Sequence, residues 1–237
     1  MAISTRNLFH FTCELKYLIQ LITEGLWPRY CIEKKWNGKD FAIPMFCFCD
    51  IPLSQIKDHI SEKKGYGCYG IGVTKEFARE NKITPVTYLY QGSLLMNKIS
   101  YYISLFDTPS VNSKNIDYEE FMLYYVKKVC GYNKDDEPRR KFYNEREWRY
   151  IPEITEDVHL EILTGDYEQD DIITEYSKRT EKNKLILKSQ NITYIIVKNE
   201  SEINEIINVL KKRYPNDKNL EKLFSIILTV KQIKEDF

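Results

Sequence analysis

The chain has 237 residues, enough for one large domain with a substantial buried core. Its 35 basic and 35 acidic side chains balance, so any binding of nucleic acid requires a local basic patch rather than a global field. No apolar run approaches the length of a membrane span, and no signal-peptide segment follows the first residues. These features predict an intracellular, cytoplasmic protein whose six cysteines are reduced.

The first predicted elements are a short strand and a helix. Residues 7–12 are predicted to form a short strand, in which His10 stands between two phenylalanines. Apolar positions recur at helical spacing over 15–22, and Gly25 is placed to end that helix. A histidine in such surroundings is more often a satisfied structural group than a catalytic one, but its position just ahead of a helix keeps a catalytic role open.

An aromatic and basic segment follows at residues 26–39. We predict an irregular loop there, with a turn at Asn37-Gly38. Trp36 and Arg29 could grip a base or a ring, although aromatics in such a loop more often anchor it to the core.

A glycine-rich stretch at residues 65–73 follows a predicted apolar strand and a short helix in the sequence. Its glycines allow a backbone to approach a ligand or a strand to bend, but their spacing does not match a phosphate-binding loop. The residues that could form a zinc site are Cys47, Cys49, Cys68 and His59. Because the usual closely spaced ligand pairs are missing, buried thiols are the better interpretation, and we expect no metal.

The later chain mixes strands and helices without a repeat or a linker. The predicted elements are strands over 85–90 and 192–197 and helices over 93–106, 118–130 and 203–210. A mixed-charge loop is predicted over 134–141. This order is typical of an α+β fold, and we predict a single domain over residues 1–237.

Residues 142–151 are the stretch around which the prediction is organised, because aromatic and charged side chains alternate there. Strand spacing puts Glu145, Glu147 and Arg149 on one face. Such a face is either a solvated charge ladder or the acidic floor of a cleft, and for an isolated strand the first is more common.

Four motifs occur together along the chain. They are Leu8-Phe9-His10-Phe11-Thr12, Phe48-Cys49-Asp50-Ile51-Pro52-Leu53 with His59, Tyr66-Gly67-x2-Gly70-Ile71-Gly72, and Phe142-Tyr143-x-Glu145-Arg146-Glu147-Trp148-Arg149-Tyr150. The combination resembles the AbiGi family of bacterial proteins linked to abortive phage infection. The resemblance implies an antitoxin-type protein that binds and restrains a second abortive-infection protein, its toxin partner.

The order of the histidine strand, the apolar strand near Cys47 and the later Glu-x-Glu strand is also similar to that of ADP-ribosyltransferases. This more distant resemblance implies an α+β fold in which split mixed β-sheets with flanking helices surround an NAD cleft. It implies NAD as the substrate, Glu147 as the catalytic carboxylate and Glu145 as the second acidic residue. Such a carboxylate would stabilise the positive charge that builds on the ribose as the glycosidic bond of NAD breaks.

The same resemblance implies that His10, Phe11 and Thr12 bind NAD and that Tyr66 or Tyr69 stacks on the nicotinamide. A macromolecular acceptor such as nucleic acid would then be held at the cleft mouth by Arg139, Arg140, Lys141, Arg29 and Trp36. Cys47 and Cys49 stand where many relatives of the Glu-x-Glu subgroup carry a hydroxyl motif. Two hypotheses therefore stay open: an ADP-ribosyltransferase acting in phage defence, and a non-catalytic antitoxin-like module.

Overall fold

The computed structural model describes residues 5–36, 39–60, 66–105, 122–131, 141–163 and 169–236. The chain divides into two compact units. The first comprises Met1–Trp27, Cys47–Ile83 and Lys184–Phe237, and the second comprises Pro28–Phe46 and Thr84–Asn183. The prediction of a single domain stays a prediction.

Strands and helices alternate irregularly along the described chain, which confirms the α+β class. The strands are β1 (Asn7–Thr12), β2 (Arg29–Trp36), β3 (Lys39–Cys49), β4 (Tyr69–Thr74), β5 (Thr84–Pro85), β6 (Thr87–Leu89), β7 (Val126–Lys128), β8 (Glu147–Tyr150), β9 (Glu161–Leu163), β10 (Ile192–Val197) and β11 (Ile227–Thr229). The α-helices are α1 (Leu15–Glu24), α2 (Leu53–Ile56), α3 (Lys75–Glu80), α4 (Leu94–Leu105), α5 (Gln169–Ser177), α6 (Ile203–Arg213), α7 (Leu220–Ser225) and α8 (Val230–Asp236).

The first unit is built around β4, whose residues are almost all buried. On one side β4 pairs antiparallel with β1, from Asn7 opposite Thr74 to Thr12 opposite Tyr69. On the other side it pairs antiparallel with β10, which in turn pairs in parallel with β11. Helix α1 packs against α6 and ends at Gly25, as predicted, where φ is 98°. The predicted strand at 192–197 and helix at 203–210 are likewise confirmed.

In the second unit β3 pairs antiparallel with both β2 and β9. Helix α5 lies against β2, and the buried side chains of Tyr30, Ala42 and Leu163 form a common cluster there. Strand β5 pairs with β8, and β6 pairs in parallel with β7 as a separate ribbon.

The predicted loop at 26–39 is wrong, because Arg29–Trp36 is a strand. Its side chains lack a clear alternation, but β2 gains its backbone hydrogen bonds from β3, and Tyr30 is buried beneath α5. The turn predicted at Asn37-Gly38 lies outside the described residues.

The helix predicted over 118–130 is also wrong in its described part, where only 122 and 123 are helical before Val126–Lys128 forms β7. Pairing with β6 overrides the local helical spacing. The extended segment predicted over 142–151 is corrected as well: Phe142–Glu145 is a 3₁₀ helix, and the strand begins at Glu147. The loop predicted over 134–141 lies outside the described residues except for Lys141.

None of the helices in the described ranges combines the length and apolar character that crossing a membrane requires. The predicted intracellular location stays a prediction.

Candidate functional site

A buried cluster of charged side chains lies in the second unit around β8. Glu147 and Arg149 point to the same side of this strand, and both are buried, Arg149 completely. The predicted charged face therefore exists for Glu147 and Arg149, which are buried and not a solvated ladder, whereas Glu145 lies in the 3₁₀ helix ahead of the strand. A buried arginine requires compensating partners, since an unpaired charge in the interior costs several kcal/mol, on the order of 3–5.

Arg149 has a partner for each of its nitrogen atoms. Its Nε donates to Glu147 Oε1 at 2.6 Å, its Nη1 to the Tyr124 carbonyl at 3.0 Å, and its Nη2 to Glu33 Oε1 at 2.5 Å. These three acceptors come from β8, from the turn ahead of β7 and from β2. The guanidinium therefore fixes three separate segments of the second unit.

Lys127, on β7, occupies the other side of the Glu147 carboxylate. Its Nζ lies 2.5 Å from Glu147 Oε2 and 2.7 Å from Glu145 Oε2. Burial by itself lowers the pKa of Lys127, but the facing carboxylates outweigh it and raise that pKa well above its usual value. We call Glu33, Lys127, Glu145, Glu147 and Arg149 the ion cluster; its three carboxylates face two cations.

Both oxygens of Glu147 are occupied by cations. Burial alone would raise the pKa of Glu147, but Arg149 and Lys127 reverse that effect and lower it to about 2. The carboxylate is therefore ionised at neutral pH. To meet a developing charge on a substrate it would have to exchange a contact with one of these cations. The arrangement suits a structural ion network, and the catalytic roles of Glu147 and Glu145 stay predictions.

The backbone between the two glutamates has an unusual conformation. Arg146 has φ 46° and ψ 51°, in the left-handed region that non-glycine residues rarely adopt. This residue separates the 3₁₀ helix from β8, so that Glu145 and Glu147 approach Lys127 from two different elements.

Two tyrosines border the ion cluster. The Glu147 backbone N–H donates to the Tyr88 hydroxyl at 2.9 Å, and burial raises the pKa of that hydroxyl above its ordinary value. The Tyr88 ring packs edge-on against Tyr143, with 5.3 Å between ring centroids. Sequence reasoning missed Tyr88, together with Lys127 and Glu33. Their distance along the chain from the Glu-x-Glu motif left no local signal.

The residues predicted to bind NAD belong to the first unit, whereas the predicted catalytic carboxylates belong to the second. His10, Phe11 and Thr12 lie on β1, and Tyr69 stands opposite Thr12 on β4. The Nδ1–H of His10 donates to the Cys47 carbonyl at 2.8 Å. Burial lowers the pKa of His10 to about 4, so the ring is neutral at pH 7.

The two tyrosines considered for stacking on nicotinamide have different surroundings. Tyr69 is buried, and its hydroxyl donates to Glu202 Oε1 at 2.7 Å. Tyr66 stacks on the His59 ring, with 6.0 Å between centroids. The NAD-binding roles of these residues stay predictions.

The glycines of β4 make room for aromatic rings. A Cβ atom on Gly70 would lie 2.8 Å from the Phe11 ring, and one on Gly72 would lie 3.0 Å from the Phe9 ring. Phe9 in turn stacks on Tyr194 of β10, with 5.6 Å between centroids. The sequence suggested that these glycines let the backbone approach a ligand or let the strand bend. In the structure, Gly70 and Gly72 instead let the β4 backbone approach the protein's own side chains.

The predicted acceptor-binding residues are only partly described. Arg29 and Lys141 are exposed, and both belong to the second unit. Arg139 and Arg140 lie outside the described residues, and Trp36 is described only as part of β2. Their role stays a prediction.

Cys49 and Cys68 are buried, whereas Cys13 and Cys31 are exposed. Within the described ranges, no three histidine, cysteine, aspartate or glutamate side chains are grouped so that they could hold a metal ion.

A family model described as "Putative abortive phage resistance protein AbiGi, antitoxin" matches residues 25–198. A curated relative, the abortive phage resistance protein AbiGi of Lactococcus lactis subsp. cremoris, is 34% identical over 232 residues, and the match covers 84% of this chain and 90% of the relative. No solved structure shows a significant match. These similarities define the class as abortive phage resistance proteins. Within that class the chain belongs to the AbiGi family, which confirms the resemblance carried by the four motifs.

Proposed function

We propose that this protein is the antitoxin of an abortive-infection pair, a module that binds and restrains a partner toxin. The observation that carries the proposal is the match over residues 25–198 to a family described as an antitoxin. The ion cluster is consistent with it, because Glu147 is held on both oxygens by cations and therefore serves the stability of the second unit.

The test is a toxicity assay in the bacterium that encodes the chain. Each gene adjoining the coding sequence is expressed from an inducible promoter, with and without this chain, and growth is recorded. We expect one gene to arrest growth alone and to be harmless when the chain is present. Isothermal titration of the two purified proteins should then give a stoichiometric complex. The proposal fails if no adjoining gene is toxic, or if the chain leaves its toxicity unchanged.

A second candidate function is transfer of ADP-ribose from NAD to a macromolecule, on a fold like that of the ADP-ribosyltransferases. What favours it is the convergence of Glu145 and Glu147 on one lysine, Lys127, because paired carboxylates are the groups that stabilise a cationic ribose. Under this proposal Glu147 would stabilise the ribose charge.

Titration with NAD separates the two candidates. The enzyme candidate requires saturable NAD binding, a rise in melting temperature, and release of nicotinamide that is lost in Glu145→Gln and Glu147→Gln variants. The antitoxin candidate requires none of these, and neutralisation of the toxin should survive in any Glu145→Gln protein that remains folded.

A further inference from the structure

Helix α4 in the second unit is apolar on two opposite faces. Met96, Ile99 and Tyr102 recur every three residues and are buried against the unit. On the other side, Leu94 is 78% exposed and Tyr101 is 65% exposed. These two residues are seven positions apart in the sequence, so they lie two turns apart along the same face.

Neighbouring side chains extend this exposed apolar surface. Leu95 is exposed beside Leu94, and Tyr90, just ahead of the helix, is 67% exposed. Single exposed apolar residues are ordinary on a monomer, whereas several within one short segment are typical of a binding surface. We call Tyr90, Leu94, Leu95, Lys98 and Tyr101 the α4 surface.

The charge of the α4 surface restricts what can cover it. Residues 90–105 contain one basic side chain, Lys98, and no acidic one. Lys98 lies four residues after Leu94 and three before Tyr101, so its ammonium group is placed within the apolar stripe. A membrane surface would call for a cluster of basic side chains rather than one.

A second copy of the chain is also a poor fit to this surface. A two-fold axis crossing the middle of α4 would bring the two Lys98 side chains to within about 4.5 Å along the helix axis, at 1.5 Å rise per residue. Two lysines that face each other across this axis repel each other, and residues 90–105 contain no carboxylate to relieve the repulsion. The complementary surface is therefore apolar with an acidic residue at its centre.

We infer that the α4 surface is where the toxin docks, through an amphipathic segment that carries apolar side chains around a glutamate or aspartate facing Lys98. Leu94 and Tyr101 would be the apolar anchors, and the ion pair with Lys98 would fix the register. The inference rests on the proposed antitoxin function and adds to it the surface and the kind of partner segment.

The experiment uses the full chain and the toxin identified by the growth assay. The variants are Leu94→Ser/Tyr101→Ser and Lys98→Glu, with Ile186→Ser as the matched control, since Ile186 is an apolar residue of the first unit that is 54% exposed. All of these side chains are exposed, so melting temperatures should stay close to that of the wild type. We expect the double variant and Lys98→Glu each to weaken toxin binding at least tenfold, and Ile186→Ser to change it less than twofold. Reversing the charge of the toxin's central acid should restore binding to Lys98→Glu.

Different failures have different meanings. If the wild-type chain neither binds nor neutralises a toxin, the proposed function falls and this inference falls with it. If the wild type binds and both α4 variants bind equally well, the inference alone is overturned. It is also overturned if sedimentation shows a wild-type dimer that the double variant dissociates, because the occupant would then be a second copy.

Discussion

The two units of the chain bury their most distinctive residues by opposite means. In the first unit, Gly70 and Gly72 of β4 make room for the Phe11 and Phe9 rings of β1, and the Phe9 ring stacks on Tyr194 of β10. In the second, β8 places a charged pair, Glu147 and Arg149, in the interior, where Lys127 and Glu33 complete an ion cluster. Substitutions in an apolar layer lower the unfolding free energy in proportion to the buried apolar area that is lost. Removing one member of an ion cluster lowers it by several kcal/mol at once, because a buried charge loses its partner.

This difference affects how the predicted site residues are tested. Phe11, predicted to bind NAD, packs on Gly70, and Glu147, predicted to be catalytic, pairs with two cations. A change at either position will alter stability as well as any activity. Activity assays therefore require stability measurements on the same proteins, and hydrogen exchange resolves the two units separately.

The largest effect is expected from Arg149→Met. The change leaves Glu147 and Glu33 without the guanidinium that pairs with both, and it should lower the free energy of unfolding by about 3–5 kcal/mol. Urea titration measures the total loss, and hydrogen exchange should show faster exchange first in peptides of the second unit.

A double variant sharpens this test. Adding Glu147→Met to Arg149→Met removes a buried carboxylate that has lost one of its two cations, so the pair of changes should destabilise less than the sum of the two single changes. Strict additivity would contradict the ion cluster as a coupled unit. Glu147→Gln alone should also destabilise, because Arg149 and Lys127 lose their shared carboxylate.

The next largest effect is expected at Gly67 in the first unit. Gly67 has φ 102°, and a Cβ atom there would lie 2.1 Å from the Thr12 carbonyl oxygen, so Gly67→Ala combines backbone strain with a backbone clash. We expect a loss of about 2–3 kcal/mol in unfolding free energy. The matched control is Gly92→Ala, where φ is 82° but nothing lies within 4 Å of the added atom. Equal losses in the two variants would show that strain alone, and not close packing against β1, sets the requirement for glycine.

The burial of His10 should make the free energy of unfolding depend on pH. Its pKa is lowered to about 4, so between pH 6.5 and 4 the unfolded chain binds more protons at this position than the folded chain. The contribution of His10 to the free energy of unfolding is therefore fully present above pH 6.5 and is lost as the pH falls towards 4. Because the side chain is partly exposed, we expect this loss to be about 1–2 kcal/mol. Urea titrations at several pH values measure the slope.

The control for this prediction is His10→Asn, which retains a donor for the Cys47 carbonyl and should flatten the slope between pH 4 and 6.5. A slope that His10→Asn does not alter would mean that other groups carry the acid sensitivity.

The sequence predicted the elements that a local pattern determines and missed those that tertiary contacts determine. Helices α1 and α6 follow their periodicity because one face of each is buried, and the apolar run of β10 forms a strand whose residues Ile195, Ile196 and Val197 are all buried. Strands β2 and β7 escaped prediction because their hydrogen bonds come from β3 and β6, which no local pattern reports. The Glu-x-Glu motif was found, but its burial depends on Lys127 and Glu33, whose approach is set by the folded unit.

The smallest change in unfolding free energy is expected from Arg146→Gly. Each unit contains a non-glycine residue with left-handed backbone angles, so the two positions can be compared. Arg146 in the second unit has φ 46° and Lys82 in the first has φ 56°. Replacement by glycine removes roughly 1 kcal/mol of strain at either position, but it adds a similar amount of conformational entropy to the unfolded chain. Lys82 follows α3 as a helix-ending residue whose N–H donates to the Arg79 carbonyl. Glycine is favoured at such a position, so Lys82→Gly should be neutral or slightly stabilising.

Arg146 instead joins two glutamates that Lys127 and Arg149 hold in place. Because the ion cluster maintains the bend, Arg146→Gly should change the unfolding free energy by less than about 1 kcal/mol. A loss well above that in urea titration would show that the Arg146 side chain itself supports the cluster, and the second unit would then depend on one more charged residue than the five described.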